Sequence, residues 1–339
     1  MNETLNELIR RAREAQAQVE NYTQEQIDDV CRAVAWETYG DENIEVCAKT
    51  AVEETGMGSV ADKITKHKVK VLGSLLESLK GKTVGLIEED ADRKIRKYAK
   101  PVGVVGALTP VTNPTATPAS NAIAILKGRN AVIFGPHPRA IKSMETVCGF
   151  MREGLRKVGA PEDLVQYTPE PSLDMSQALM SAADLVLATG GPGVVRAAYS
   201  SGTPAYGVGA GNAVAIVAED ADVEDAVQKM FVSKVFDHAT SCSSENSAVV
   251  HESVYDAVLD AFRSRGAYVC SAEEKDALEQ VVWVENKKGK MAINPKIVAA
   301  SAPAIAKWAG LDVPEDTRAL IVECADVEQP SRWKGEKLR

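Results

Sequence analysis

From about residue 83 onward, short apolar runs alternate with amphipathic helical stretches, and this alternation restricts the possible folds more than any other feature of the chain. The runs are Val102–Leu108, Ala131–Phe134, Leu164–Tyr167, Leu185–Ala188 and Ala213–Val217. Helical patterns lie between them near 118–127, 139–157 and 173–182, with a short one from about 193. Strands that are apolar on both faces are buried on both, and parallel neighbours need a crossover long enough to hold a helix. The expectation is an α/β fold built on a doubly wound parallel sheet.

Ahead of the sheet the spacing predicts four helices. Residues 4–20 place Leu5, Leu8, Ile9, Ala12, Ala15 and Val19 on one face. Thr23-Gln24-Glu25-Gln26 has the form of a capping box, opening a helix that continues through Ile27, Val30, Cys31 and Val34. Two more follow near 42–55 and 61–80. Lys63, Lys66, Lys68 and Lys70 of the last are expected to form a solvated face, a contact to a phosphorylated ligand being the alternative. Beyond a helix near 222–236 a second unit is expected, with Ala248–Val250, a helix near 253–265, a capping box at Ser271–Glu274, a helix near 302–310 and Ala319–Val322. The expected organisation is one domain over 1–236 (helices 1–80, sheet 83–236) and a second domain over 237–339. No internal repeat and no low-complexity linker interrupts it.

Length and charge narrow the function. At 339 residues the chain is long enough for about two domains. Forty-eight acidic against 39 basic side chains give a net charge of −9, which disfavours a polyanion such as DNA or RNA as partner. A nucleotide remains compatible, because helix-end N–H groups hold phosphate without net charge. The N-terminus, MNETLNELIRRAREAQ, has no apolar leader, and no stretch reaches the ~18 apolar residues of a membrane span. Six cysteines, at 31, 47, 148, 242, 270 and 324, contain no C-x-x-C pair. Free thiols in a reducing cytoplasm, with no metal site, are expected.

Three segments have the residue types that chemistry needs. Ala188-Thr189-Gly190-Gly191-Pro192-Gly193 lies at a strand-to-helix switch, where glycines let backbone approach a pyrophosphate, although on its own the motif fits a tight structural turn better. Phe236-Asp237-His238-Ala239-Thr240-Ser241-Cys242-Ser243-Ser244-Glu245-Asn246 sets a cysteine among small polar residues, as a reactive thiol requires, although most lone cysteines are not nucleophiles. In Leu108-Thr109-Pro110-Val111-Thr112-Asn113-Pro114 an apolar strand ends in an asparagine between prolines. That is either an Asx-type turn or an amide donor aimed at an oxyanion.

Together and in this order, these segments resemble the aldehyde dehydrogenase superfamily, specifically its coenzyme-A-acylating branch. The likeness runs through PVGVVGALTPVTNPTATPA (101–119), Lys127-Gly128-Arg129-Asn130, Gly135-Pro136-His137-Pro138, ATGGPGVVRAAYSSGTPAYGVGAGN (188–212) and the cysteine loop, and so covers essentially the whole chain. The resemblance implies a Rossmann-like nucleotide domain and a catalytic domain. It implies that Cys242 attacks an aldehyde carbonyl to form a thiohemiacetal, that the Asn113 amide and the Cys242 N–H receive the oxyanion, and that hydride transfer leaves a thioacyl-enzyme. Thr189, Gly190, Gly191 and Gly193 match the dinucleotide turn, with Thr109 and Pro110 as further cofactor contacts. Coenzyme A is the implied co-substrate, a small and possibly anionic aldehyde (sulfoacetaldehyde, succinate semialdehyde or acetaldehyde) the implied substrate, and a homo-oligomer the implied assembly.

Departures from the wider superfamily refine this. Hydrolytic members have a general-base glutamate in a Glu-Leu-Gly-Gly segment where this chain reads Gly209-Ala210-Gly211-Asn212. Water, with a pKa of about 15.7, needs such a base, whereas a thiol of pKa about 8.5 does not. Transfer to coenzyme A is therefore expected without hydrolysis. No acid follows the Ala131–Phe134 run to grip a ribose 2′-hydroxyl, and His137 or Arg139 is placed to meet a 2′-phosphate, so NAD or NADP is expected with a lean to NADP. His238-Ala239 stands where many relatives have Asn-Gly; His238 is expected either to tune the substrate preference or to be a surface histidine. Glu336 matches a glutamate that contacts the nicotinamide ribose, in Glu336-Lys337-Leu338-Arg339, after which relatives continue. The catalytic domain is accordingly expected to be incomplete. An inactive nucleotide-binding fragment, or another reductase of the superfamily, is the alternative reading.

Overall fold

In a computed structural model of the chain, the described residues are 3–209, 211–286, 289–324 and 331–335. They form two compact units: Met1–Gly56 with Lys63–Gly209, and Met57–Asp62 with Ala210–Arg339.

The first unit starts with α1 (Glu3–Val19), α2 (Gln24–Tyr39), α3 (Asp41–Thr55) and most of α4 (Val60–Lys80). Leu5, Leu8, Ala12, Ala15 and Val19 bury one face of α1, as their spacing dictates. The Thr23 capping box forms in full: the Thr23 side chain accepts from Gln26 N, and the Gln26 side chain accepts from Thr23 N. An antiparallel hairpin follows, β1 (Gly85–Asp90) and β2 (Ile95–Ala99). Then come β3 (Val104–Leu108), α5 (Ala116–Lys127), β4 (Ala131–Gly135), α6 (Ile141–Lys157), β5 (Val165–Tyr167), α7 (Leu173–Ala182), β6 (Leu185–Thr189), α8 (Pro192–Tyr199) and β7 (Ala205–Val208). The five strands from β3 to β7 make one all-parallel sheet in the order β5-β4-β3-β6-β7. Every residue of β3 and β4 is buried, and Ile123, Leu126, Ile133, Phe134, Met144, Met151, Leu155, Leu164 and Leu179 are the large side chains of the surrounding core. The α/β expectation holds.

Lys127-Gly128-Arg129-Asn130 works inside this unit as a structural clamp. Asn130 Oδ1 accepts from the N–H groups of Val102 (2.7 Å) and Gly103 (3.1 Å), while Nδ2 donates to Ile125 O (3.2 Å), tying the entrance of β3 to the end of α5. Arg129, buried and left-handed at φ 59°, donates to the carbonyls of Glu20, Thr83 and Ala99. Lys127 pairs with Asp28.

The second unit contains β8 (Ala213–Val217), α9 (Val223–Val235), β9 (Glu245–Val250), α10 (Tyr255–Arg263), β10 (Ala267–Val269), α11 (Ala272–Val282), β11 (Trp283–Glu285), β12 (Met291–Ile293), α12 (Ala302–Trp308) and β13 (Ala319–Ile321). The boundary falls at Gly209 and not after 236 as expected. β8 pairs in parallel with β9, and that pairing draws 211–236 into the second unit. Parallel pairs β8–β9 and β10–β13 and the antiparallel pair β11–β12 frame two small cores. One is built on Val217, Val227, Met230, Val258 and Ala261. The other is built on Leu278, Val282, Ile297 and Ile305, with Trp283 and Trp333 edge-to-face at 4.5 Å. The Ser271 capping box opens α11 as read from sequence. Among the described residues no helix is long and apolar enough to cross a membrane.

Candidate active site

The strand order places a topological switch point in the first unit. From β3 the chain winds outward one way through β4 and β5, then returns to add β6 and β7 on the other side, so β3 and β6 flank the reversal. Open α/β sheets bind ligands outside the carboxyl ends of the strands at this switch point. Leu108 lies level with Ala188, and two sequence-selected segments leave the sheet side by side there: Thr109–Asn113 after β3 and Thr189–Gly193 after β6.

Gly190 N donates to Val208 O (3.0 Å), fixing the turn to β7, and Gly191 caps α8 with Pro192 in its first turn. A Cβ at Gly191 or Gly193 would meet nothing within 4 Å, so bare backbone faces open space where α8 begins. A pyrophosphate needs such an approach. Thr109 is buried and donates its N–H to Gly135 O (3.1 Å); Pro110 is half-buried beside it.

His137 and Arg139 lie past the end of the neighbouring β4. The Arg139 guanidinium donates to Thr55 O at the end of α3, and its backbone N–H donates to His137 Nδ1 (3.1 Å). That bond puts the imidazole proton on Nε2, and partial burial together with the Arg139 charge lowers the His137 pKa, favouring the neutral ring.

Asn113 sits half-buried in the turn between β3 and α5, and the structure corrects the reading of the α4 lysines here. Lys63 and Lys66 are 3% and 4% exposed, not solvated. Lys63 Nζ donates to Thr112 O at 2.8 Å, which compensates the burial of a cation. His67, one turn on, lies with Nδ1 3.4 Å from the Thr115 hydroxyl, and burial pushes its pKa down to about 4. Lys68 and Lys70 do reach the surface. Sequence reasoning missed this role because helical spacing identifies a face but not what covers it.

The cysteine loop belongs to the second unit. After α9 the backbone turns through three consecutive left-handed residues, Asp237 (φ 51°), His238 (φ 49°) and Ala239 (φ 56°). Each costs roughly 1–2 kcal/mol for a residue with a Cβ. Asp237 offsets part of the strain. It is fully buried, its Oδ2 accepts from Thr240 Oγ1 (2.6 Å), its Oδ1 accepts from Ser59 N (3.2 Å), and its own N–H donates to Asp62 Oδ2 (3.0 Å). Strained backbone held by its surroundings is typical of functional sites. His238 Nδ1 lies 3.1 Å from Ala299 O; a carbonyl only accepts, so Nδ1 carries the proton.

A turn then exposes Cys242. Ser244 N and Oγ both donate to Ser241 O, at 3.2 and 2.8 Å, which leaves Cys242 at the corner. Cys31, Cys47, Cys148 and Cys270 are buried, and burial pushes the first three thiols up to about 12 and the last to about 11, which keeps them inert. Of the six only Cys242 and Cys324 are exposed. Gly211 packs against the Cys242 backbone so closely that a Cβ there would lie 2.5 Å from the Cys242 carbonyl oxygen. Glu336 lies outside the described residues.

Residues 1–282 match the aldehyde dehydrogenase family. The chain belongs to that family. It is 59% identical to a sulfoacetaldehyde dehydrogenase of an Acholeplasma species over 97% of its own length and 68% of the relative's. It is 54% identical to an acylating sulfoacetaldehyde dehydrogenase of Bilophila wadsworthia, over 99% and 72%. The crystal structure of an acetylating aldehyde dehydrogenase from Geobacillus thermoglucosidasius superposes with a TM-score of 0.93 at 36% identity, covering 99% of this chain and 73% of that one. Within the aldehyde dehydrogenase family the chain falls in the acylating branch, whose oxidoreductases use coenzyme A and a nicotinamide dinucleotide.

Proposed function

We propose that the chain oxidises sulfoacetaldehyde, with coenzyme A and NADP+, to the coenzyme A thioester and NADPH, reversibly. The observation that carries this reading is the exposed Cys242 at the corner of a rigidly held turn, in a chain more than half identical to two sulfoacetaldehyde dehydrogenases. Succinate semialdehyde and acetaldehyde are the competing substrates.

The Cys242 thiolate attacks the aldehyde carbon, and the oxygen takes the electron pair. Following the family resemblance, that developing charge is received by the Cys242 N–H and the Asn113 amide. The switch point beyond β3 and β6 suits a dinucleotide: the backbone at Gly191 and Gly193 is open to a pyrophosphate, and Thr109 and Pro110 lie at the end of the adjacent strand. A nicotinamide dinucleotide held there would supply the hydride acceptor. A thioester on Cys242 remains. Gly209-Ala210-Gly211-Asn212 offers no carboxylate to activate water, so the thiolate of coenzyme A is the attacking group, releasing acyl-coenzyme A and restoring the Cys242 thiolate. NADP is favoured because the segment after β4 has no acid and presents an exposed Arg139. The family resemblance supports a homo-oligomer.

The test follows NADPH and NADH formation with sulfoacetaldehyde, succinate semialdehyde and acetaldehyde, each with and without coenzyme A, beside Cys242→Ala. Turnover that needs both coenzyme A and Cys242, fastest with sulfoacetaldehyde, is expected. Turnover without coenzyme A, or none from folded protein, overturns the reading.

A further inference from the structure

We propose that Lys63 is the positioning residue of the Asn113 turn: its buried ammonium holds the Thr112 carbonyl and thereby aims the Asn113 amide. The proposal deepens the reaction assigned above and rests on Asn113 acting as an oxyanion donor.

Lys63, Lys66 and His67 occupy positions i, i+3 and i+4 of α4 and so share one helix face, and all three are buried, at 3%, 4% and 1% exposure. Lysine is almost never so buried without a partner. Here Lys63 Nζ reaches Thr112 O at 2.8 Å, a charge-assisted bond. The Thr112 carbonyl and the Asn113 nitrogen belong to one planar peptide unit, so fixing the oxygen fixes the plane from which Asn113 projects. On the far side of the turn, His67 Nδ1 faces Thr115 Oγ1 at 3.4 Å, and Thr115 O accepts from Ala119 N as α5 begins. Between these two anchors lies only Asn113-Pro114. Proline fixes its own φ and restricts the residue before it to extended backbone. The turn therefore has little freedom once α4 holds both ends, as a preorganised donor requires.

A buried lysine that served only the fold would alter stability without favouring one catalytic step. The test therefore combines Lys63→Met and Asn113→Ala, singly and together, in the full chain. Three quantities are measured: kcat for coenzyme-A-dependent aldehyde oxidation, Tm, and the rate of iodoacetamide alkylation at the Cys242 peptide by mass spectrometry. The expected result is a roughly tenfold or greater fall in kcat for Lys63→Met, with the alkylation rate unchanged and less than a twofold further loss when Asn113 is already alanine. An equal loss in both backgrounds, or a kcat unchanged by Lys63→Met, overturns the proposal. If Lys63→Met does not fold, Lys63→Gln, which keeps a shorter uncharged donor, replaces it with the same criteria. Asn113→Ala separates the two levels: normal kcat in that variant refutes the donor role itself, whereas collapse there with an active Lys63→Met refutes only the part of Lys63.

Discussion

Replacing Gly211 with alanine puts a methyl carbon 2.5 Å from the Cys242 carbonyl oxygen, where ordinary contact begins at 3.4 Å and real Cβ atoms essentially never approach within 3.0 Å. Something must open by between about 0.5 and 0.9 Å, the differences between those distances. The Gly211 side has limited room to give way, because three residues on, past one irregularity between Ala213 and Val214, β8 pairs with β9 in unbroken register from Val214 to Val217. Relief falls mainly on the turn that presents Cys242. Overpacking of this kind costs about 1–3 kcal/mol, and a displacement near 1 Å at a reacting atom costs on the order of 100-fold in rate. Gly211→Ala is thus expected to lower kcat by about 10- to 100-fold with a Tm loss of several degrees. Gly209→Ala is the matched control, since its Cβ would meet only the Val195 side chain at 3.6 Å. Coenzyme-A-dependent nicotinamide reduction and differential scanning fluorimetry on both variants decide the matter. If Gly211→Ala matches the parent in kcat and Tm, the close contact does not position the nucleophile and the reasoning fails.

Other expectations follow from the same geometry. His238→Asn leaves a residue that tolerates left-handed φ but removes the imidazole, and is expected to narrow the preference for sulfoacetaldehyde over acetaldehyde; an unchanged ratio of kcat/KM values would count against any tuning by His238. Asn130→Ala removes three hydrogen bonds and strands two backbone N–H groups, so urea unfolding should show a loss of about 3 kcal/mol. His67 is held neutral, its pKa pushed from 6.5 down to about 4. The unfolded chain therefore binds the extra proton first, and stability present above pH 6.5 is lost as the pH falls toward about 4, by about 3 kcal/mol. His67→Asn should flatten that part of the stability profile, and a parallel profile would refute the assignment.

The sequence revealed whatever was local. β3 and β4 were legible because strands buried on both faces must be apolar throughout, and β5 and β6 because each lies in a short, largely apolar run between helical patterns. β7 was not, since Ala205–Val208 is short, half-exposed and includes a glycine. The β1–β2 hairpin escaped for a different reason: its facing residues include opposite charges, Glu88 with Lys97 and Glu89 with Arg96, which read in sequence as a polar loop. The apolar run of β8 was legible, but not the sheet it joins, because pairing with β9 is a long-range choice. At the site, Cys242 stood out by its small polar neighbours. Asp237 was in plain view without a role, because its partners Ser59 and Asp62 lie far back in the chain.

Those two partners have a consequence for dissecting the protein. Met57–Asp62 clusters with the second unit although about 150 residues of the first intervene. A gene fragment beginning at residue 211 would encode Cys242 and Asp237 yet omit the Ser59 N–H and the Asp62 carboxylate that meet them. During synthesis the ribosome delivers these six residues long before the turn they complete, so that turn can close only when the C-terminal half arrives. Split versions of the enzyme must therefore break the chain elsewhere, or supply the 57–62 segment with the second half.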